Sequence, residues 1–193
     1  MIRQKNYAFL LEPLKTKSSQ KSKGTGKKTR IIAVTSGKGG VGKTNFTINF
    51  ALSLMAYGQK VIVLDADLGL ANIDVILGIS PKYNLYHVLK GEKTIQEIIV
   101  PGPQGLQIIA GGSGIQELAN LRRWQVEQFI AKLGELEGLA DILIIDTAAG
   151  LSRNVMSFVL AADEVIVITT PEPTAITDAY GLVKVMTTKK RTA

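Results

Sequence analysis

Apolar residues fall along this chain in two alternating rhythms. Short unbroken runs of Ile, Val and Leu occupy Arg30–Thr35, Val61–Asp65, Leu106–Ala110, Asp141–Asp146 and Glu164–Thr170. Runs of this kind fit strands whose two faces are both covered. Between them, apolar positions recur at helical spacing over Thr44–Tyr57, Ile73–Leu77, Leu85–Lys90, Thr94–Ile99, Leu121–Leu136, Arg153–Ala161 and Thr174–Met186. Gly58, Gly78, Gly91 and Gly138 stand where helices are expected to end. Pro101-Gly102-Pro103 predicts a turn before the third strand. Ala110-Gly111-Gly112 has no Lys-Ser/Thr after it and predicts a turn at a strand end. Strand alternating with helix predicts an α/β domain, a mostly parallel sheet with helices on both faces.

The segment before the first strand obeys neither rhythm. Tyr7–Leu14, YAFLLEPL, is apolar and predicts a short helical stretch ahead of Pro13. Residues 15–30, KTKSSQKSKGTGKKTR, hold no apolar side chain and predict a flexible linker. Charge follows the same division. The chain carries a net +7. Residues 1–30 hold nine Lys/Arg against Glu12, and residues 31–193 hold fourteen against fifteen acids. The basic excess is therefore a tail on a nearly neutral body. Two units follow: residues 1–29 as a basic tail with a short partner-binding helix, and residues 30–193 as the folded domain. With 46% hydrophobic residues the chain can bury one sizeable core. It has no cysteine, which excludes thiolate metal and iron–sulfur sites. No apolar run approaches spanning length, and the N-terminus does not resemble a secretory signal. A cytoplasmic protein is expected.

Residues 37–44, Gly-Lys-Gly-Gly-Val-Gly-Lys-Thr, match the phosphate-binding pattern GxxxxGK[ST] between a predicted strand and a predicted helix. Glycines let successive backbone N–H groups turn inward around a phosphate chain, and the first helical turn adds its own unpaired donors. Lys43 would reach the β- and γ-phosphates, and Thr44 would ligate Mg²⁺. Asp65 and Asp67 end the second predicted strand. Two residues apart, they face the same side and can both point at the loop. Asp146 closes the run Ile142–Ile145, where an acid at a strand tip binds Mg²⁺ through water. Gly150 follows, with a backbone N–H placed to sense the terminal phosphate. His87 and Trp124 read as elements of small or half-buried helices.

Lys38, directly after the first glycine, gives the loop the KGGxGK[ST] form, which resembles the deviant Walker A loop of the MinD/ParA ATPases. Val61–Gly78, VIVLDADLGLANIDVILG, is similar to that family's switch I. Asp141–Leu151, DILIIDTAAGL, is similar to its Walker B and switch II. Val165–Lys184, VIVITTPEPTAITDAYGLVK, looks most like the branch that regulates flagellar number. The resemblance runs from about residue 30 to about 186. It implies a P-loop NTPase fold and ATP with Mg²⁺ as ligands. It implies nucleotide binding by Gly37, Lys38, Gly39, Gly40, Val41, Gly42, Lys43, Thr44 and Asn45. Lys38, Lys43 and Asp67 would be catalytic: Lys38 touching the nucleotide across a dimer interface and Asp67 orienting the attacking water. Thr44, Asp65 and Asp146 would hold the metal, the aspartates through water. Asn72 and Asp74 fall in the switch loop, and Asp178 near the dimer interface.

The resemblance further implies a homodimer formed with ATP and a partner that is a GTPase or a transcription regulator of flagellar assembly. Peripheral membrane contact would come through a C-terminal helix that relatives carry beyond this chain's last residue, so the domain is expected to be incomplete on its C-terminal side. Two other functions stay open. One is a nucleotide-binding module without turnover that acts through its N-terminal segment. The other is a DNA-partitioning ATPase, against which the nearly neutral body argues.

Overall fold

The computed structural model describes residues 7–10, 28–112 and 115–190. A seven-stranded sheet forms its centre, in the order β1-β7-β2-β6-β3-β5-β4. The strands are β1 (Tyr7–Leu10), β2 (Arg30–Ser36), β3 (Val61–Ala66), β4 (Ile99–Pro101), β5 (Gln107–Ile109), β6 (Ile142–Thr147) and β7 (Glu164–Thr169). The five predicted strands are all present, and β7, β2, β6, β3 and β5 run parallel. The helices are α1 (Lys43–Ala56), α2 (Ile73–Leu77), α3 (Leu85–Leu89), α4 (Gln116–Ala119), α5 (Arg123–Leu133), α6 (Arg153–Ala161) and α7 (Pro173–Lys190).

Both faces of the sheet are covered, as the unbroken apolar runs require. Val61, Val63, Ile142 and Ile144 face one side and pack with Ile48 and Ala51 of α1 and Ile73 of α2. Ile62, Leu64, Leu143 and Ile145 face the other, against Leu85 and Val88 of α3 and Val126, Phe129 and Leu133 of α5. Farther along that second side, Val155 and Val159 of α6 and Ala179, Leu182 and Met186 of α7 pack over Ala33, Val165 and Val167. Phe129 and Phe158 join α5 to α6 edge to face, with centroids 5.9 Å apart.

Two expected helices give way to strands. At Thr94–Ile99 the chain makes only a single tight turn, Gln96–Ile98, and then enters β4, antiparallel to β5. Thr94 N and Oγ1 both donate to the Glu97 carboxylate, at 2.8 and 3.0 Å, which closes the turn on itself. The apolar segment at the start of the chain also departs from expectation: Tyr7–Leu10 pairs antiparallel with β7, Tyr7 opposite Thr169 and Leu10 opposite Ile166. Tyr, Phe and Leu suit a pleated strand, and an edge with unpaired backbone groups selects extended chain over an isolated helical turn. Residues 11–14 of that segment and most of the basic linker lie outside the described residues.

The parallel arrangement brings the carboxyl ends of β2, β3, β6 and β7 to one edge of the sheet. The loops beginning at Gly37, Asp67, Ala148 and Thr170 all leave from it. Ligands of open α/β sheets bind at this edge.

Phe129 is fully buried between α5, α6 and the sheet. Phe129→Ala should lower unfolding free energy by about 3–5 kcal/mol in a urea titration. A loss below about 1 kcal/mol would mean that the α5–α6 layer is not close-packed.

Candidate functional site

The loop between β2 and α1 wraps a cleft of about 240 Å³ lined by Lys38–Gly42, Thr170 and Glu172. Two glycines set its shape. Gly42 caps α1 with φ 87°, a left-handed conformation that side chains rarely adopt. At Gly37 the constraint is space, because an added Cβ would lie 2.5 Å from the backbone of Asp178 in α7. The loop is therefore clamped between the sheet and α7. α1 starts at Lys43 itself, so the unpaired N–H groups of its first turn adjoin the loop.

Lys43 is the first residue of α1 and is only 9% exposed, and Asp146, near the tip of β6, is 1% exposed. Lys43 Nζ donates to Asp146 Oδ1 at 2.9 Å. Thr47, one turn into α1, donates to the same oxygen at 3.2 Å and to the Lys43 carbonyl at 3.1 Å. Breaking a buried pair by removing one partner strands a charge and costs several kcal/mol. Thr47 is a member of this cluster that sequence pattern alone does not single out. Its signal is its place four residues after Lys43, on the same face of the helix.

The second acidic group is built differently from expectation. Asp65 stands directly across from Asp146 in the β3–β6 register. β3 ends at Ala66, so Asp67 lies past the strand rather than on its face. The two aspartates meet through the backbone: Asp67 N donates to Asp65 Oδ1 at 3.1 Å. Asp65 Oδ2 accepts from Asn72 N at 2.9 Å and Ile73 N at 3.0 Å. Asp65 thus ties down the whole loop from Asp67 to the start of α2. Burial pushes its carboxyl up to about 7, aided by the nearby Asp146 charge and opposed by the three N–H bonds. Asp67 is half-buried and accepts from Leu70 N at 3.2 Å. Asp74 accepts from its neighbour Val75 N at 2.8 Å.

The loop after β6 is tied to the phosphate loop. Gly150 N donates to Ser36 O at 2.8 Å, so the N–H expected to face a phosphate is engaged at the base of the loop instead. Thr147 Oγ1 donates to Val34 O at 3.1 Å, joining β6 to β2. Lys38 turns to the far wall, where its Nζ lies 2.9 Å from Glu172 Oε2. His87 lies away from the cleft, at the N-terminal capping box of α3, and Trp124 is exposed on α5.

The donor set suits a nucleotide with Mg²⁺. Backbone N–H groups, Lys43 and Lys38 offer positive charge to phosphates. Among the described residues no three His, Cys, Asp or Glu form a metal cluster. A hard cation such as Mg²⁺ is commonly held by one or two carboxylates together with substrate oxygens. Thr44, half-buried at the start of α1, and Asp146 would hold it, with Asp65 beside them.

Asp65 gives a pH signature. Its carboxyl is raised from 3.8 to about 7, so the folded state keeps the proton longer than the unfolded chain. The associated stabilisation is complete below about pH 4 and is lost as pH rises through about 7. Thermal melts of nucleotide-free protein from pH 4 to 8 should show this decline, and Asp65→Asn should flatten it. Identical slopes in the two proteins would show that burial does not govern this carboxyl.

The AAA domain family model matches residues 29–193 of the chain. Antiactivator FleN of Pseudomonas aeruginosa is 46% identical over 157 residues, covering 81% of this chain and 56% of that protein. The flagellum site-determining protein YlxH of Helicobacter pylori is 46% identical over 163 residues, covering 84% of this chain and 55% of that protein. The chain spans little more than half the length of these curated relatives. The solved structure of septum site-determining protein MinD complexed with Mg-ADP, from Pyrococcus horikoshii, superposes with a TM-score of 0.75 at 31% identity, covering 83% of this chain and 66% of that one. No described helix is long and apolar enough to cross a membrane. Loop, paired acids, fold and kinship agree, and the chain belongs to the MinD/ParA family of P-loop ATPases.

Proposed function

We propose that the chain is the nucleotide-binding part of an ATP-hydrolysing dimerisation switch that regulates the number or placement of flagella. The observation that carries the chemistry is the buried Lys43–Asp146 pair where the glycine-built phosphate loop enters α1. The biological assignment rests on the similarity to FleN and YlxH, whose names describe an antiactivator and a flagellum site determinant.

Phosphoryl transfer needs positioning and charge neutralisation more than covalent help. The loop N–H groups and α1's first turn bind the phosphate chain, and Lys43 turns from Asp146 to the β- and γ-phosphates. Thr44 and Asp146, with Asp65 adjacent, would hold Mg²⁺, which when bound would supply charge neutralisation to the phosphates. Asp67, on the loop that Asp65 fixes, orients the attacking water. Lys38 reaches the nucleotide of a second copy, so that closing two protomers and completing the site are one event. Partners would be a second copy of the chain and a GTPase or transcription regulator of flagellar assembly. The nearly neutral body, net −1 over residues 31–193, argues against DNA.

Two substitutions divide binding from turnover. Lys43→Ala should abolish binding of a fluorescent ATP analogue. Asp67→Ala should bind it normally, lose phosphate release by 10²-fold or more as for a lost general catalyst, and accumulate as dimer. Equal turnover in Asp67→Ala and wild type would remove Asp67 from the mechanism.

A further inference from the structure

A salt bridge spans the mouth of the phosphate cleft. Lys38 Nζ, on the loop, lies 2.9 Å from Glu172 Oε2, on the segment that joins β7 to α7. Both residues line the cleft. The lysine's backbone is fixed from below, where Ser36 Oγ donates to the Lys38 carbonyl at 2.9 Å. Its charged form is favoured by the hydrogen bond it donates to Glu172 and, at longer range, by Asp178. Next to Glu172 on the same wall, the Thr170 hydroxyl is buried and has no hydrogen-bond partner among the described residues.

The pair is not needed to hold α7. That helix is anchored by Ala175, Ala179, Leu182 and Met186, all buried, and by the close approach of Asp178 to Gly37. Lys38 and Glu172 are 45% and 50% exposed, so solvent screens the bond and its worth is small. A phosphate chain carries more negative charge than one carboxylate and can compete for the lysine.

We infer that Glu172 is a weak latch on the loop lysine: it favours Lys38 across the cleft in the nucleotide-free protein and yields it when phosphates enter. The inference deepens the nucleotide-switch function proposed above and rests on it. Glu172 is a positioning residue that acts through Lys38. Its strength sets the nucleotide concentration at which the lysine becomes available to a second copy. The empty hydrogen-bonding capacity of Thr170 gives the same wall a neutral donor for the ligand once the lysine has left.

The test reads the lysine directly. The Lys38 side-chain Nζ and Hε resonances, identified by their loss in Lys38→Arg, should sit at different chemical shifts in wild type and in Glu172→Gln. Adding a non-hydrolysable ATP analogue with Mg²⁺ should shift them in both proteins. Glu172→Gln should also bind a fluorescent ATP analogue about 2–5-fold tighter, the worth of one half-exposed ion pair. Its urea midpoint should match wild type, since the side chain is half in solvent. Lys38 shifts indifferent to Glu172→Gln, or an affinity that is unchanged or weaker, would overturn the latch. If the analogue moved no backbone amide of Gly37–Thr44 in wild type, the nucleotide switch itself would fall, and the latch with it.

Discussion

The rest of this structure is arranged around a cation and an anion that share a dry space, Lys43 and Asp146. Taking both from water costs several kcal/mol for each ion, and only close geometry with extra hydrogen bonds offsets it. The fold supplies that geometry from three directions. β2 leads through the glycine loop to put Lys43 on the first turn of α1. β6, hydrogen-bonded beside β2, brings Asp146 to the same height. Thr47 adds a second donor to the carboxylate oxygen that Lys43 holds. Packing of Ile48 and Ala51 beneath α1 keeps the helix, and with it the lysine, pressed to the sheet. Such a pair cannot be opened freely. In the function proposed here, phosphates draw Lys43 away while another cation reaches Asp146, which would couple nucleotide and metal.

Around that pair the loops are held by hydrogen bonds as well as by packing, with Val41 and Leu68 buried in the core on the two sides of the sheet. Asp65 gathers three N–H groups of the segment before α2, Gly150 is tied to Ser36, and α7 touches the loop at Gly37. Two of these tethers link a loop to a strand, and the third links the phosphate loop to α7. The exposed apolar side chains of this region lie on those same elements: Leu70 and Val75 by α2, Leu151 after β6, and Ile176 and Tyr180 on α7. A phosphate that alters one tether therefore alters a surface. That is the physical content of a switch in this fold, and it agrees with a second copy as the partner that covers the surface.

Much of the fold was legible because buried parallel strands have no polar face to disguise them. The runs ending at Thr35, Asp65, Asp146 and Thr170 could hardly be anything else, and the loop's glycine spacing fixed the site beside the first of them. What was not legible depends on partners distant in sequence. β4 and β1 are strands because β5 and β7 offer them an edge, not because their residues demand it. Asp65 carries the pattern of a metal ligand, yet both its oxygens are engaged by a loop that folds back over it. Glu172 has no motif of its own, and only the meeting of β7's end with the phosphate loop gives it a role. The turn at Thr94 shows the reverse, a local hydrogen-bonding box overriding helical spacing.

The central claim is that binding of ATP at this edge makes one protomer complementary to another. Size-exclusion chromatography with light scattering, in Mg²⁺ with ADP and then with a non-hydrolysable ATP analogue, tests it most directly. The account predicts a monomer with ADP and a dimer with the analogue. A monomer in both states, with analogue binding confirmed in the same sample, would contradict it.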